Sequence, residues 1–358
     1  MTGRKARIGI IGTGWWATAA HLPGLSAHPD AEIVGLADLD INKAQQTAER
    51  FGVERVFSDH RELLALGLDG VIVVTPHHTH YGLVRDSLLA GADVLVEKPM
   101  VVEAAHAREL LQIARERGRH LHVGYPYPHN RHSRLLRETV LRGDFGKIHL
   151  VSSIFATSPH NFYRGITDEE ATPPGGAMWF PGTETYSQPE RGGGNLLTQV
   201  THAASLLFFV SGLEPRDVHA FTENYDTKVD LFEAINFRTA TGAIGSIASS
   251  GTVPSTQKTI EEIRIFGSKA HAVHDSVRGT LTIFFADGSI EEVPTLSQSE
   301  KYPLQKTSQH LVDVILGRDE QLVSPELGVL TVEFLAAARE SAATGKIVSI
   351  DAARAPEE

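Results

Sequence analysis

The chain has 358 residues, of which 41% are hydrophobic, 22% are charged and none is cysteine, and its formal net charge is −11. This length suits two domains rather than one core, and the negative charge argues against nucleic acid and anionic membrane surfaces as partners. Without cysteine the chain has no disulfide, thiolate metal site or cysteine nucleophile. Its apolar runs are too short to span a bilayer, so we expect a soluble, cytoplasmic protein with no membrane partner.

The N-terminus allows two interpretations. Arg4, Lys5 and Arg7 precede the apolar run 8–11, and small residues follow at 17–20, which is the order of features in a secretory signal peptide. The apolar run is only a few residues long, however, and it is interrupted by glycine. We therefore favour a buried strand over a signal peptide.

The first part of the chain alternates short apolar runs with helical patterns. Strands are predicted at 7–11, 31–37, 70–74, 93–96 and 121–124. Helices are predicted at 15–27, 41–51, 79–90 and 103–117, with Asp40 as the N-cap of the second. The strands are continuous apolar runs, which is typical of a parallel sheet covered on both faces. Together these elements predict a doubly wound parallel sheet of the Rossmann type, built from right-handed βαβ units.

The pattern changes at Tyr125-Pro126-Tyr127-Pro128, which cannot continue a regular element. Strand-like runs follow at 147–153, 217–221, 233–238, 243–249, 260–266 and 281–285. Further helices are predicted at 131–141, 196–210, 305–316 and 325–343. We therefore predict a first domain over 1–124 and a second α/β domain over 125–358, with a large, open, mostly antiparallel sheet and a last helix that can pack back on the first domain. The exposed face of such a sheet favours a homodimer or homotetramer.

A glycine-rich motif joins the first predicted strand to the first helix, and it reads Gly12-Thr13-Gly14-Trp15-Trp16-Ala17. In this setting the first glycine permits a tight turn, the second lets the backbone approach a pyrophosphate, and the alanine allows close helix packing. The free N–H groups at the start of the helix attract phosphate groups. The motif therefore predicts a dinucleotide site, and a glycine-rich turn without a ligand is the alternative.

An acidic residue, Asp38, ends the second predicted strand. A carboxylate at this place accepts hydrogen bonds from the adenosine ribose hydroxyls and repels a 2′-phosphate. No arginine follows at 39–41, so we expect NAD in preference to NADP. In the alternative, Asp38 only caps the next helix, although Asp40 is better placed to do so.

Two motifs follow later strands of the same predicted sheet. Thr75-Pro76 follows the strand at 70–74, and Glu97-Lys98-Pro99 follows the strand at 93–96. In an open parallel sheet, ligands bind outside the carboxyl ends of the strands, so Lys98 is expected where a nicotinamide would lie. We also predict a cis peptide bond before Pro99. A surface cation without a role is the alternative for Lys98.

These motifs, together with Gly192-Gly193-Gly194 and His202, resemble the glucose–fructose oxidoreductase, inositol dehydrogenase and rhizopine catabolism (Gfo/Idh/MocA) family over nearly the whole chain. The resemblance implies an N-terminal Rossmann domain, a C-terminal α/β domain, and redox chemistry on a hydroxyl/carbonyl pair of sugars or cyclitols. It also implies that Lys98 contacts the reacting oxygen and that His202 is the acid/base. Members commonly carry Asp four residues before this histidine, whereas this chain has Thr198, so the usual Asp–His pair is missing. Gln199 is expected to contribute polar contacts instead.

Oxidation of an alcohol suits these residue types, because it moves a hydride to the nicotinamide and a proton elsewhere. A histidine with an ordinary pKa of about 6.5 takes that proton near neutral pH, and a lysine cation stabilises the developing alkoxide. Thr198 and His202 are four residues apart, so both are expected on one face of a helix. A purely structural histidine is the alternative for His202.

Three histidines, His77, His78 and His80, crowd the loop after Thr75-Pro76. Such a cluster suggests a metal, but no carboxylate accompanies it, and we predict no metal. By the resemblance this loop lies beside the cofactor, and His80 is the member expected to line that site.

Substrate contacts are expected from two stretches. Tyr127 and His129 follow the last Rossmann strand, where relatives place pocket residues, and domain-hinge packing is the alternative. The irregular stretch 157–191 is expected to wall the pocket rather than form a plain surface loop. Its candidates for packing on a sugar ring are Tyr163, Trp179, Tyr186 and Gln188.

The sequence therefore predicts a NAD-dependent oxidoreductase that transfers a hydride between the cofactor and a secondary hydroxyl or carbonyl of a sugar, sugar derivative or cyclitol. Two alternatives stay open. One is a redox-neutral, NAD-dependent glycosidase that recycles its cofactor. The other is a non-catalytic, nucleotide-sensing protein, which the threonine at position 198 favours.

Overall fold

The structure, a computed structural model, describes residues 3–166, 173–254 and 256–350, and these residues form two compact units. The first unit comprises 3–126, 173–185 and 304–329, and the remaining described residues form the second. The chain leaves the first unit two residues after the predicted boundary at 124, but two later stretches also belong to it. The reason is visible in the core, where Leu311 and Val312 are buried in the same cluster as Ile8 and Ile10.

The first unit contains a parallel sheet, as predicted. Its strands lie in the order β3-β2-β1-β4-β5-β6, and all the neighbouring pairs are parallel. The strands are β1 (Ala6–Ile11), β2 (Ala31–Ala37), β3 (Val56–Phe57), β4 (Gly70–Val73), β5 (Asp93–Val96) and β6 (Leu121–Val123). The central strands β4 and β5 are buried at every position, which explains their continuous apolar sequences. The two-residue strand β3 is too short to leave a pattern in the sequence.

Helices connect these strands, and they are α1 (Leu22–Ser26), α2 (Ile41–Phe51), α3 (His60–Leu64), α4 (His80–Leu89) and α5 (Ala104–Arg117). The Asp40 side chain accepts a hydrogen bond from the Lys43 backbone N–H at 3.1 Å and caps α2, as predicted. The predicted helix at 15–27 differs, because a π-helical turn at Ala17–His21 precedes α1. The short helix α3 was not predicted.

The second unit contains the large, mostly antiparallel sheet that the sequence predicts. Its order is β14-β13-β12-β11-β7-β10-β9-β8-β15, and β7 and β10 form its parallel pair. The strands are β7 (Ile148–Ala156), β8 (Pro215–Glu223), β9 (Phe232–Thr239), β10 (Ile244–Ser250), β11 (Ile260–Gly267), β12 (Ala270–Asp275), β13 (Thr280–Phe285), β14 (Ile290–Val293) and β15 (Val348–Ser349). Strand β12 was missed because two histidines and an aspartate interrupt its apolar pattern.

The remaining helices are α6 (Arg131–Leu141), α7 (His160–Tyr163), α8 (Thr183–Ser187), α9 (Thr201–Ser211), α10 (Gln298–Lys301), α11 (Lys306–Ile315) and α12 (Pro325–Thr344). Every residue of α9 is buried, and the ring of Phe208 on this helix packs edge-on against Phe237 and Phe334 at centroid distances of 5.7 and 5.1 Å. Elsewhere on the sheet, Phe221 and Ile244 are 63% and 52% exposed. The predicted homo-oligomer stays a prediction.

In the part of the chain that the structure describes, none of the helices combines the length and the apolar character needed to span a membrane.

Candidate active site

The glycine-rich loop has the geometry that a dinucleotide requires. Gly12 has a φ of +96°, and a side chain there would collide with the Val74 carbonyl, so only glycine fits. At Gly14, in contrast, a Cβ would meet no backbone, and the one atom within 4 Å of it is the Lys43 Nζ at 3.5 Å. The loop therefore leaves room for the close approach of a phosphate, and the residues present fit the predicted cofactor.

Asp38 holds the glycine-rich loop against the end of β2. Its Oδ2 accepts hydrogen bonds from the backbone N–H and the hydroxyl of Thr13 at 2.7 and 2.8 Å, and its Oδ1 accepts one from the Asp40 N–H at 3.0 Å. Because Asp40 is the residue that caps α2, the structure does not support a mere capping role for Asp38. The carboxylate is partly exposed at the carboxyl end of β2, where the ribose hydroxyls of a dinucleotide are bound.

The predicted cofactor residues after β4 lie in a tight hydrogen-bonded loop. The Thr75 and Thr79 hydroxyls are 2.7 Å apart. His80 is fully buried, and its Nδ1 and Nε2 each lie 2.9 Å from a backbone oxygen, of Pro99 and Thr75 respectively. Burial lowers the pKa of His80. His80 thus joins this loop to the Lys98-Pro99 turn instead of facing open space, and no metal-binding group of three or more His, Asp or Glu side chains occurs among the described residues.

The Glu97-Lys98-Pro99 turn is anchored by its own glutamate. The peptide bond before Pro99 is cis, as predicted. The Glu97 carboxylate lies 3.0 Å from the Nε2 of buried His21 and accepts a hydrogen bond from the Lys98 N–H at 3.1 Å. Burial lowers the pKa of Lys98, and the charge of Glu97 acts in the opposite direction. His21 was not identified from the sequence. It lies in a helical stretch after the glycine-rich loop, and no local pattern there shows which residue contacts Glu97.

In the second unit, glycines and a π-helical turn set the position of His202. Gly194 has a φ of +101°, and a side chain there would collide with the Asp230 carboxylate. The π-helical turn Leu196–Val200 then leads into α9, which carries His202 in its first turn. The sequence predicted one continuous α-helix here, with Thr198 and His202 on the same face. The π-helical turn changes the side-chain directions on which that prediction depends.

Thr198 belongs to a buried polar network. Its hydroxyl donates to the Gly194 carbonyl at 2.7 Å and lies 2.5 Å from the Tyr163 hydroxyl. Tyr163 also donates to the Asn195 Oδ1 at 3.1 Å, and the Asn195 amide reaches the Glu233 carboxyl at 2.6 Å. Burial, with the nearby Asp230 charge, raises the pKa of Glu233 well above its usual range. Tyr163 is therefore a buried partner of Thr198 and is not exposed to pack on a sugar, in contrast to the prediction.

Aromatic rings surround His202. Phe155 of β7 stacks on its imidazole at a centroid distance of 6.0 Å, and Tyr127 and Tyr302 lie edge-on at 5.9 and 6.4 Å. Burial and the charge of Glu261 raise the pKa of Tyr127 well above its usual range. The structure thus brings together predicted Tyr127 and His202, and it adds Phe155 and Tyr302, which sequence reasoning missed because they are distant in the chain.

The other substrate candidates are scattered. Gln199 and His129 are half-buried. Tyr186 packs against Phe162 at a centroid distance of 5.8 Å, and the Gln188 carbonyl accepts a hydrogen bond from the Gly193 N–H. Trp179 belongs to the first unit, where its indole N–H donates to the Thr47 hydroxyl at 3.2 Å. The structure therefore places Trp179 against α2 in the first unit, whereas the aromatic rings around His202 belong to the second unit.

The parallel sheet, the glycine-rich loop and Asp38 define a nucleotide-binding Rossmann protein, and the Glu97-Lys98-Pro99 turn lies at the carboxyl end of β5. Comparison with known families agrees. The model "Oxidoreductase family, NAD-binding Rossmann fold" matches residues 6–125, and the model "GFO/IDH/MocA C-terminal domain" matches residues 133–273. The chain belongs to the GFO/IDH/MocA family of oxidoreductases, as the sequence motifs predicted, and its first unit carries the family's NAD-binding Rossmann fold.

Individual relatives are distant but extend over most of the chain. D-glucoside 3-dehydrogenase of Escherichia coli (strain K12) is 26% identical over 98% of this chain and 99% of that protein. Myo-inositol 2-dehydrogenase of Thermotoga maritima is 25% identical over 77% of both chains. The crystal structure of GenD2 from gentamicin A biosynthesis in complex with NAD superposes with a TM-score of 0.78 at 24% identity, over 97% of this chain and 96% of that one. The last match supports the fold.

Proposed function

We propose that this oxidoreductase is a NAD-dependent dehydrogenase or reductase that acts on a secondary hydroxyl or carbonyl group of a sugar, sugar derivative or cyclitol. The observation that carries the proposal is the Glu97-Lys98-Pro99 turn, which sets a partly desolvated lysine at the carboxyl end of β5. Ligands bind at this edge of an open parallel sheet. The names of the relatives, a glucoside dehydrogenase and an inositol dehydrogenase, support the substrate class.

The proposed chemistry divides between two residues. When bound, NAD accepts or supplies the hydride. Lys98 donates a hydrogen bond to the reacting oxygen and stabilises the negative charge that develops on it, an effect that desolvation strengthens. His202 takes the hydroxyl proton during oxidation and returns it during reduction. Glu97 acts on Lys98 through the backbone N–H and through its charge, and is a positioning residue.

The test is a panel of glucosides, free sugars, sugar acids and inositols, incubated with the purified protein and NAD while NADH absorbance is recorded. We expect one class to give sustained NADH formation. Release of an aglycone from a glucoside without net NADH would point instead to the redox-neutral glycosidase. NAD binding without any turnover on the panel would favour the nucleotide-sensing alternative.

We further propose that Asp38 makes the site prefer NAD to NADP. Its carboxylate would lie beside the ribose, where it repels a 2′-phosphate. We expect NADP to bind at least about tenfold more weakly than NAD, which corresponds to about 1.4 kcal/mol. Asp38→Asn should lower the ratio of the Kd for NADP to the Kd for NAD, as measured by calorimetric titration of both cofactors.

The matched control for Asp38→Asn is Asp40→Asn, which changes the same residue type two positions away at the cap of α2. This control should leave the NAD/NADP ratio unchanged, because asparagine also serves as an N-cap. Tighter binding of NADP than of NAD by the unaltered protein would refute the assignment of Asp38.

A further inference from the structure

A short segment of the irregular stretch lies against the nucleotide-binding half of the first unit. Three hydrogen bonds fix it. The Trp15 indole donates to the Pro174 carbonyl at 2.8 Å, the Met178 N–H donates to the Thr18 hydroxyl at 3.1 Å, and the Trp179 indole donates to the Thr47 hydroxyl at 3.2 Å. We call residues 174–179 the strap. Its partners lie on the glycine-rich loop, the π-helical turn and α2, the elements that flank a dinucleotide in this fold.

A lysine lies between the strap and the glycine-rich loop. The Lys43 Nζ is 5.8 Å from the centroid of the Trp179 ring and 3.5 Å from the place a Cβ on Gly14 would occupy. The ring face of tryptophan attracts an ammonium group, so Trp179 limits the positions that Lys43 takes up. Gly14 is the residue whose bare backbone admits the pyrophosphate. The ammonium group therefore lies beside the glycine at which the pyrophosphate of a dinucleotide approaches the backbone in this fold.

The anchoring of the strap is built into the motif itself. Trp15 lies inside the glycine-rich motif, between Gly14, where the pyrophosphate approaches the backbone, and Ala17, the helix-packing position. Its indole N–H is used by Pro174, and its ring packs edge-on against Trp16 at 5.1 Å. Trp15 therefore joins the glycine-rich loop to the strap.

We propose that the strap and Lys43 form a clamp on the pyrophosphate half of the bound dinucleotide, in which Lys43 pairs with phosphate and Trp179 holds Lys43 and closes the strap. The clamp slows release of the cofactor. The proposal rests on the NAD site and not on the catalytic roles of Lys98 and His202, so binding measurements test it whether or not a substrate is known.

The experiment compares Lys43→Met, Trp179→Ala and Trp179→Phe with the unaltered protein. Titrations use NAD, ADP-ribose and adenosine, and stopped-flow fluorescence follows release of NADH into excess NAD. We expect Lys43→Met to raise Kd for NAD and ADP-ribose about tenfold at low salt, because opposite charges near a protein surface attract at this scale. Adenosine, which lacks phosphate, should bind unchanged, and the difference should shrink at high salt. Trp179→Ala should speed NADH release by a similar factor.

Two variants keep the test decisive. Trp179→Phe retains a ring for Lys43 but loses the hydrogen bond to Thr47, and should fall between the unaltered protein and Trp179→Ala even if the alanine variant folds poorly. Lys306→Met removes an exposed lysine elsewhere in the first unit and should change no Kd. The clamp would be overturned if Lys43→Met weakened the binding of adenosine and ADP-ribose equally, or if it left NAD binding unchanged. It would also be overturned if Trp179→Ala bound NAD more tightly, because the strap would then occupy the site that it is proposed to cover.

Discussion

Replacing Lys98 by methionine should nearly abolish turnover, with kcat reduced by roughly 10³-fold, because removal of a single preorganised donor to a developing oxyanion costs about 10²–10³ in rate and the lysine also contributes a charge. Methionine keeps much of the length and apolar character of the side chain, so the turn after β5 should stay folded. NAD affinity should change by no more than about tenfold, since one hydrogen bond to the nicotinamide end contributes about 0.5–1.5 kcal/mol. Steady-state kinetics and calorimetric NAD titration measure the two effects.

The pH dependence adds a second readout for Lys98. Burial lowers its pKa from the ordinary value of 10.5. If the lysine must be protonated to stabilise the alkoxide, activity is present below its pKa and is lost as pH rises through it. The alkaline limb of kcat/KM should therefore lie below the range of an ordinary lysine. Lys306→Met is the matched control and should retain full activity. Retention of more than a tenth of the turnover by Lys98→Met would remove Lys98 from the mechanism.

The parts of this protein that local physics determines could be predicted. Continuous apolar runs mark buried parallel strands, since no position in them faces water, and β4 and β5 are buried throughout as a result. Gly12 could be assigned from its place between a strand and a helix, because only glycine tolerates its φ of +96° so close to the Val74 carbonyl. The continuous apolar runs and the order strand, glycine, helix are local patterns, so the sequence shows them directly, although the contact of Gly12 with the Val74 carbonyl appears only in the fold.

The parts that depend on distant contacts could not be predicted. Trp179 looked like a pocket residue of the second domain, but residues 173–185 belong to the first unit, and no local pattern shows where a loop of this kind packs. His21 and Glu97 are 76 positions apart and meet only because β5 and the π-helical turn come together in three dimensions. The π-helical turn at Leu196–Val200 was equally hidden, because its sequence is that of an ordinary apolar helix.

The threonine at position 198 shows how the two kinds of information combine. The sequence shows that threonine replaces the usual aspartate at this position. The structure shows which polar groups surround that threonine. Tyr163 and Asn195 connect the Thr198 hydroxyl to Glu233, a carboxyl group whose pKa burial raises well above the usual range. A raised pKa favours the neutral form of Glu233. The polar support of the turn before α9 therefore combines hydrogen bonds with the Asp230 carboxylate, which accepts a hydrogen bond from the Leu196 backbone N–H.

His202→Asn should lower kcat/KM by roughly 10²–10⁴-fold, the usual contribution of a general acid–base. Asparagine preserves a polar side chain of similar size among Phe155, Tyr127 and Tyr302, so the fold and NAD binding should persist. The acid limb of the pH–rate profile should disappear in the variant, because that limb arises where a protonated His202 imidazole no longer accepts the hydroxyl proton. If the variant keeps its activity within about tenfold of the unaltered protein at every pH, the loss is smaller than a general acid–base contributes. His202 would then have a structural role.

Thr198→Asp tests whether a negative charge at position 198 or the hydrogen bonds of the Thr198 hydroxyl set the proton affinity of His202. A carboxylate four residues before His202 favours the protonated imidazole, so the acid limb of kcat/KM should move to higher pH, and it should do so without loss of NAD affinity. Thr198→Val is the matched control: it removes the hydroxyl and its bonds to Gly194 and Tyr163 at a cost of about 1–3 kcal/mol in stability, but introduces no charge and should leave the limb in place. A limb that moves equally in both variants would mean that the hydrogen-bond network, and not charge, sets the proton affinity at His202. That result would make Tyr163, which the sequence offered as a sugar contact, the residue that tunes the acid/base.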